Sequence, residues 1–388
     1  MKKVFAKYFS LITFVFLSSF YATYSQNSNG YQYSSADLNT ITTAVPFLRI
    51  IPDARAGGLG DAGISNSADA NSQQYNPAKF VFNAHSSGIS LSYSPWLRAL
   101  VNDINLGYIS GYHKFDSLQC IAASVKYFSL GDITYFNLNG NVIGTNHPYE
   151  FSSDISYSRK LSDVFSMGTA IRYIYSALNN GSMYVPHYKN GISLACDISM
   201  FYSRPVCIFE KEAKVNFGMN ISNIGSKMSY NDSTNHGDFI PTNLGLGPAL
   251  TISLNNDVSV TFLAEINKLL VPTPPVYDSV GNILAGKNPD VPVLQGMLQS
   301  FSDAPGGFKE EIREINFSIG VEGSFMNMVF TRAGFFYEDK TKGNRKFFTL
   351  GAGVKYKKYQ FDTAYLITVE QRNPLQNTFR FSFLCYFN

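Results

Sequence analysis

The chain contains one short motif with the glycine spacing of a nucleotide-binding loop. Gly58, Gly60 and Gly63 in "GLGDAG" match G-x-G-x-x-G, a pattern in which glycines let the backbone approach a pyrophosphate. That chemistry needs a buried strand before the first glycine and a helix after the third. The preceding "FLRIIPDARAG" is interrupted by charges and proline, and the following "ISNSADANSQQYNPA" has no apolar stripe at helical spacing. We therefore interpret these glycines as serving a backbone requirement other than dinucleotide binding.

Residues that could carry catalysis are few and poorly spaced. The sequence lacks G-x-S-x-G, H-E-x-x-H and C-x-x-C, and its five histidines are scattered. Ser110 and His113 are near neighbours in "YISGYHKF", but an odd spacing places them on opposite faces of a strand. A catalytic pair must lie within hydrogen-bonding distance. The sequence predicts that the protein is not an enzyme and has neither a metal nor a cofactor site.

The first 25 residues have the pattern of a secretory signal peptide. "MKKVFAKYFSLITFVFLSSFYATYS" combines three lysines, an apolar stretch at 11–20 and small residues at the exit. Its removal would lower the formal net charge from +3 to about zero. A nucleic-acid partner is therefore not expected, because nucleic-acid binding depends on positive charge.

From about residue 88 onward, apolar residues occupy every second position in runs of about ten. In "AKVNFGMNISN", for example, Val, Phe, Met and Ile alternate with Asn, Gly and Ser. Charged residues make up only 15% of the chain and aromatic residues another 15%, which is typical of strands with one face in lipid. Fourteen such segments are predicted, at 88–95, 103–114, 118–130, 149–160, 164–178, 190–202, 213–223, 242–254, 258–270, 313–325, 328–338, 345–356, 359–369 and 377–387.

The lengths of the connections between these segments support a transmembrane barrel. The long connections at 131–148, 179–189, 224–241 and 271–312 alternate with short turns, as in barrels with long outer loops and short periplasmic turns. The predicted turn 203–212 is the exception, because it is ten residues long on the short side. Since an open edge in lipid would leave backbone groups unpaired, the fold class predicted is all-β, a closed 14-stranded antiparallel transmembrane β-barrel. The barrel is expected to occupy residues 88–388.

Residues 26–87 lack a spanning pattern, and we expect them to form a plug-like or periplasmic segment. An even number of strands leaves the first and the last residue of the barrel on the periplasmic side. This segment should therefore begin under the pore or inside it. Its glycines would permit tight turns and close packing against lumen-facing side chains. The residues predicted to form the plug are Arg49, Asp53, Arg55, Gly57, Gly58, Gly60, Asp61, Gly63, Asn76 and Pro77.

The stretch "AVPFLRIIPDARAGGLGDAGISNSADANSQQYNPAKF" at 44–80 resembles the N-terminal hallmark of the PorV family, also called LptO. Members of that family are outer-membrane barrels of the type IX secretion system and are related to FadL-type transporters. The resemblance implies that residues 44–79 form a plug and that Asn76-Pro77-Ala78 leads into the first strand. It also implies an integral protein of the Gram-negative outer membrane, exported by a cleaved signal peptide and in contact with outer-membrane lipids and lipopolysaccharide.

The longest loop contains a candidate surface for a protein partner. Leu294, Met297, Leu298 and Phe301 fall at i, i+3, i+4 and i+7, one face of a short helix. This face could fold down onto the barrel mouth as a lid, or it could stay exposed and bind a partner. The family resemblance favours partner binding, since PorV-type proteins are described as binding the C-terminal signal domains of exported cargo.

Two functions are therefore compatible with the sequence. In the first, the protein accepts cargo from the translocon barrel and carries it to the cell-surface attachment complex, which has a sortase-like component. In the second, it is a FadL-type channel for hydrophobic small molecules. Related barrels can host either function, so the fold does not separate them. The inferred inward faces are mainly Ser, Asn, Gly, Asp and Lys, which favours the first because a hydrophobic substrate needs an apolar path.

Overall fold

The computed structural model describes residues 38–178, 188–231, 237–370 and 373–387. The predicted signal peptide at 1–25 and the predicted segment 26–37 lie outside the described residues. None of the helices in the described ranges is long and apolar enough to cross a lipid bilayer.

Fourteen antiparallel strands form a closed barrel in which each strand pairs with the barrel strands before and after it along the chain. The first strand, β1 (Ser87–Pro95), pairs with the last, β18 (Phe379–Phe387). The predicted fold class is therefore confirmed. The barrel strands are β1 (Ser87–Pro95), β2 (Ile104–Lys114), β3 (Gln119–Leu130), β6 (Tyr149–Ser162), β7 (Phe165–Ala177), β8 (Gly191–Ile208), β9 (Lys211–Gly225), β10 (Asn243–Ser253), β11 (Val258–Leu269), β14 (Ile315–Phe325), β15 (Val329–Tyr337), β16 (Lys346–Tyr356), β17 (Tyr359–Thr368) and β18 (Phe379–Phe387).

The two ends of the barrel differ in the length of their connections. We call the end that carries the connections 131–148 and 270–314 the long-loop end, and the opposite end, with turns such as 357–358, the short-turn end. The loops of the long-loop end contain two hairpins and two helices. These are β4 (Ile133–Phe136) with β5 (Val142–Asn146), β12 (Val276–Tyr277) with β13 (Ile283–Ala285), and the helices Val293–Gln299 and Phe308–Arg313.

The ten-residue turn predicted at 203–212 is wrong. Strands β8 and β9 continue to Ile208 and Lys211, which pair with each other, and only Phe209 and Glu210 form the turn. Both turn residues have positive φ, 50° and 62°, as the two central residues of a type I′ hairpin turn do. The strand ends were predicted too early because Pro205 and charged residues interrupt the alternation of apolar and polar residues. Pro205 nevertheless lies opposite Lys214 in the paired strands. Strand pairing here continues beyond the region of regular alternation.

The two faces of the barrel wall have opposite chemistry. In β1, Ile89, Leu91 and Tyr93 are about half exposed on the outside, whereas Ser90 and Ser92 are buried in the lumen. The last strand follows the same rule, with its phenylalanines outside and Arg380 and Ser382 inside. An apolar exterior and a polar interior are what a barrel wall in lipid requires.

The described chain that precedes β1, residues 38–86, occupies the lumen, and we call it the plug. This plug contains four short helical segments, Pro46–Arg49, Ala54–Gly57, Ala70–Gln74 and Pro77–Phe82. Its first described part lies at the long-loop end, where the Asn39 amide donates to the carbonyl oxygen of Thr341 at 3.1 Å. Its last part lies at the short-turn end, where Lys114 Nζ donates to the Asn83 carbonyl at 2.9 Å. The described part of the segment lies inside the lumen, from Asn39 at the long-loop end to Asn83 at the short-turn end. Where the segment begins stays a prediction, because residues 26–37 lie outside the described ranges.

Candidate functional site: the plug and the long-loop surface

The first helical turn after the "PDARAGG" motif is fixed by Asp53. Its Oδ2 accepts a hydrogen bond from the Ala56 amide at 2.9 Å, which caps the helix Ala54–Gly57. Its Oδ1 accepts one from the Tyr75 hydroxyl at 2.7 Å, and the Ala54 amide donates to Ser382 Oγ on β18 at 2.8 Å. Burial, with a smaller contribution from the neighbouring Asp69, raises the pKa of Asp53 to about 6.

Arg55 joins the plug to the barrel wall through a buried chain of ion pairs. Its guanidinium donates to both carboxylate oxygens of Glu322 on β14, at 2.9 and 2.7 Å, and to Asp69 at 2.9 Å. Glu322 also accepts from Arg332 Nε at 2.7 Å, and Arg332 pairs with Asp362 at 2.7 Å. All five side chains are buried, so each charge depends on its partners.

Asp61 and Arg49 differ in whether they pair with the barrel wall. Asp61 accepts a hydrogen bond from Arg380 Nη1 on β18 at 2.7 Å. Arg49 is half-buried, and its guanidinium makes no hydrogen bond or ion pair with any residue in the described ranges. The plug charges that the sequence singled out therefore pair with the wall, with Arg49 as the exception.

Two glycines of the "GLGDAG" motif lie directly against the wall. Gly60 has a φ of +71°, and a Cβ there would lie 2.7 Å from the Phe335 backbone. A Cβ on the wall residue Gly334 would lie 2.1 Å from the Gly60 nitrogen. Gly58 faces another wall glycine, Gly351, with its Cβ position 3.0 Å from the Gly351 Cα. The motif thus permits backbone-to-backbone contact between plug and wall.

The other two glycines predicted for the plug, Gly57 before the motif and Gly63 at its end, meet side chains. A Cβ on Gly57 would lie 2.5 Å from the Arg380 guanidinium, and one on Gly63 would lie 2.5 Å from the Tyr75 ring. The Gly63 and Ile64 amides both donate to Glu265 Oε2 at 2.9 Å. Two consecutive backbone amides aimed at a carboxylate form an anion site, but here a wall residue fills it.

Asn76 and Pro77 form the last plug element before β1. Asn76 Oδ1 accepts from the Ala78 amide at 3.1 Å, which caps the segment Pro77–Phe82, and Pro77 occupies its first turn. The Asn76 side-chain amide donates to the Met200 carbonyl on β8 at 2.9 Å. The cap residue therefore also attaches the plug to the wall.

The wall partners of the plug were missed by sequence reasoning. A usable signal exists, since each is a charged residue at an inward position of its strand. A charge there would face a lumen and needs a counter-charge. The partners are Glu265, Glu322, Arg332, Asp362 and Arg380.

The structure separates Ser110 and His113, as their odd spacing predicted. Ser110 Oγ donates to the Ala70 carbonyl of the plug at 2.7 Å. His113 is exposed on the outer face, where its Nδ1 shares a hydrogen bond of 2.7 Å with Ser87 Oγ.

The predicted loop face lies on the helix Val293–Gln299 and the residues that follow it. Leu294 is 68% exposed, Leu298 77% and Phe301 51%, while Met297 is partly buried. The opposite side of the helix is held down by Gly296, whose Cβ position is 2.8 Å from the Phe239 ring. The small residue thus packs inward, and Leu294 and Leu298 are the most exposed side chains of the face. The Phe301 ring is half exposed and lies over Lys268 Nζ, 5.9 Å from the ring centroid.

A buried ionic network anchors this loop to the barrel mouth. Lys268 on β11 donates to Glu311 at 3.0 Å and to Glu314 at 2.6 Å. Lys342, from the connection between β15 and β16, donates to Glu310 at 2.6 Å and to Glu314 at 3.0 Å. Glu311 also accepts from two backbone amides of residues 303–304. The loop that presents the apolar side chains is therefore fixed at its C-terminal base.

Comparisons with known proteins found similar solved structures and one matching family. Solved structures similar to this chain include the toluene transporter TbuX of Ralstonia pickettii, at 10% identity and a TM-score of 0.47, covering 87% of this chain and 98% of that one. The toluene transporter TodX of Pseudomonas putida matches at 9% identity and a TM-score of 0.47, covering 85% and 95%. A FadL homologue of Pseudomonas aeruginosa matches at 10% identity and a TM-score of 0.43, covering 90% and 100%. No curated protein sequence matches the chain.

A closed antiparallel barrel with an apolar exterior and a plugged polar lumen defines a β-barrel of the outer-membrane class. Within that class, the model of the type IX secretion system protein PorV matches residues 33–276, more than half of the sequence. The chain belongs to the PorV family.

Proposed function

We propose that the protein binds exported cargo by its C-terminal signal domain at the long-loop end and shuttles it from the translocon barrel to the cell-surface attachment complex. The observation that carries this proposal is the exposed apolar face of Leu294, Leu298 and Phe301 on an anchored loop. Large apolar side chains held away from the core are typical of a protein-binding surface. By this proposal the protein acts in transport, not in catalysis.

The filled lumen favours cargo binding over a hydrophobic channel. A FadL-type channel needs an apolar path, whereas the plug here is joined to the wall by charged residues such as Arg55 and Glu322. Moving a hydrophobic solute along this lumen would require breaking buried ion pairs. The channel remains the alternative, and it predicts uptake of hydrophobic solutes.

The test is the double substitution Leu294→Asp with Leu298→Asp. Both side chains are more than two-thirds exposed, so the charges are tolerated in the free barrel. In a complex, each loses about 2 kcal/mol of apolar burial and adds the cost of desolvating a charge. A micromolar contact should weaken by roughly three decades or more. Exported cargo should then fail to reach the cell surface while barrel levels stay normal.

Leu100→Asp with Val101→Asp is the matched control, because both residues are exposed in another loop of the long-loop end. This variant should secrete cargo normally. If the Leu294/Leu298 variant also secretes normally, the face is not the binding surface, and the loops 131–148 and 224–241 become the next candidates. Loss of hydrophobic-solute uptake with intact secretion would support the channel instead.

A further inference from the structure

Arg49 lies beside a cavity at the long-loop end of the lumen. The cavity has a volume of about 360 Å³ and is bordered by the first described plug residues, including Thr40, Thr42 and Thr43, and by the wall at Leu269. Below it lies a second cavity of about 90 Å³ that reaches Asp61 and Tyr75. Arg49 and Arg345 border both cavities, and we call the place between the cavities where these two side chains lie the passage.

The two arginines at this passage differ in what they bind. Arg345 donates to both oxygens of Glu338, at 2.7 and 2.8 Å, and is thereby neutralised. Arg49 has no such partner among the described residues. Burial, with a smaller contribution from the charge of Arg345, lowers the pKa of Arg49 to about 10, so its guanidinium remains charged at neutral pH. Glu338 also acts electrostatically on Arg49, but it is hydrogen-bonded to Arg345 and not to Arg49. The partly exposed Arg49 guanidinium therefore keeps its hydrogen-bond donors available to an anion in the cavity.

The remaining charges of the cavity restrict which anion can fit. Lys342 is already paired with Glu310 and Glu314, and the carboxylates of Glu314 and Glu338 also border the cavity. These acids would repel a second negative charge on a ligand. The planar guanidinium fork matches a carboxylate, and the nearby threonine hydroxyls can supply further hydrogen bonds.

We propose that this cavity binds a carboxylate of single negative charge, with Arg49 as its ion-pair partner and Ile41, Pro46 and Leu269 in contact with the attached apolar group. The cavity volume lies at the lower end of the range for small-ligand sites. It suits a small acid or the last residues of a polypeptide, and it is too small for a folded domain. The carboxylate could belong to a free organic acid or to the carboxyl end of a polypeptide. The site is independent of the apolar loop face, so it stands whether or not that face binds cargo.

The test uses the full-length mature protein purified in detergent and isothermal titration calorimetry. The probes are hexanoate, hexanamide, an N-acetylated pentapeptide with a free carboxyl terminus, the same peptide amidated, and inorganic phosphate. At least one carboxylate probe should bind, its amide should not, and Arg49→Gln should weaken binding at least about tenfold. Arg98→Gln, which removes an exposed arginine from another loop at the same end, should leave binding unchanged.

The outcomes separate the sources of the carboxylate. Binding of hexanoate alone identifies a free acid, binding of the peptide acid alone identifies a polypeptide end, and binding of both shows that the carboxylate itself is recognised. If Arg49→Gln fails to fold, Arg49→Lys keeps the charge without the fork and should give an intermediate affinity. The proposal is overturned if no carboxylate binds the wild type, if amides bind as well as acids, if phosphate binds as tightly as the carboxylates, or if the Arg49 variants bind like wild type.

Discussion

The contact between Gly334 and Gly60 gives a sharp prediction for the plug. In Gly334→Ala, the new Cβ would lie 2.1 Å from the Gly60 nitrogen and 2.2 Å from the Leu59 carbonyl carbon. Real Cβ contacts do not fall below 3.0 Å, and the obstructing atoms are backbone. The plug must therefore move away from the wall by nearly 1 Å.

That movement also affects the neighbouring strand. The Gly60 amide donates to Thr349 Oγ1 on β16 at 2.9 Å, and Thr349 lies directly opposite Gly334 in the sheet. When the plug moves away from Gly334, the distance between the Gly60 nitrogen and Thr349 Oγ1 should exceed that of a hydrogen bond. Overpacking and one lost buried hydrogen bond together should destabilise the seated plug by about 2–6 kcal/mol.

The assay is ion conductance of the purified protein in planar lipid bilayers, combined with uptake of a small hydrophilic dye by cells. Gly334→Ala should raise both relative to wild type, because the lumen opens when the plug is displaced. Gly107→Ala is the control, since it is the same substitution in another barrel strand where a Cβ meets nothing within 4 Å. Wild-type conductance and dye uptake in Gly334→Ala would refute the close contact on which this reasoning rests.

Three further predictions concern the ion pairs, the barrel seam and pH. Glu322→Gln should lower the free energy of unfolding by about 3 kcal/mol, because Arg55 and Arg332 each lose a buried charged partner. The temperature midpoint of heat modification on electrophoresis should therefore fall, and an unchanged midpoint would contradict this prediction. Deletion of residues 379–388 should abolish membrane insertion, measured by fractionation, since β18 closes the barrel on β1; normal insertion would show that closure does not need this strand. The raised pKa of Asp53 means that the folded state binds more protons than the unfolded state, so its contribution to stability should decline as pH rises from about 4 to about 6. Asp53→Asn should remove that component from the pH dependence of the unfolding midpoint, and identical pH profiles would exclude it.

The sequence predicted the barrel because strand alternation is a local property. Each strand must present apolar residues to lipid and polar residues to the lumen, so the period of two is visible without knowing any contact. The prediction failed at 203–212, where β8 and β9 extend beyond the alternating region and their pairing depends on the partner strand. The course of the plug could not be predicted, since the position of Asn39 is set by contacts with loops far away in sequence.

The chemistry of the plug could be predicted only in part. That Gly60 serves a backbone need follows from the failure of the nucleotide-site pattern, but its partner Gly334 lies 274 positions away and no local signal links them. The exposed side chains of the loop helix could be listed from helical spacing, whereas the direction in which they point depends on Gly296 against Phe239. Whether Arg49 would be paired also depends on the arrangement of the surrounding strands.

The course of the plug has a consequence for the order of assembly. The segment contacts strands on both sides of the β1–β18 seam, from Ser110 on β2 to Ser382 on β18. A ring that closed first would have to admit this polar chain lengthwise and place each ion pair afterwards. We therefore expect the wall to form around the plug, with the seam sealing last. The segment synthesised before the barrel would then serve as a template for it, and errors in the plug should appear as barrels that fail to close.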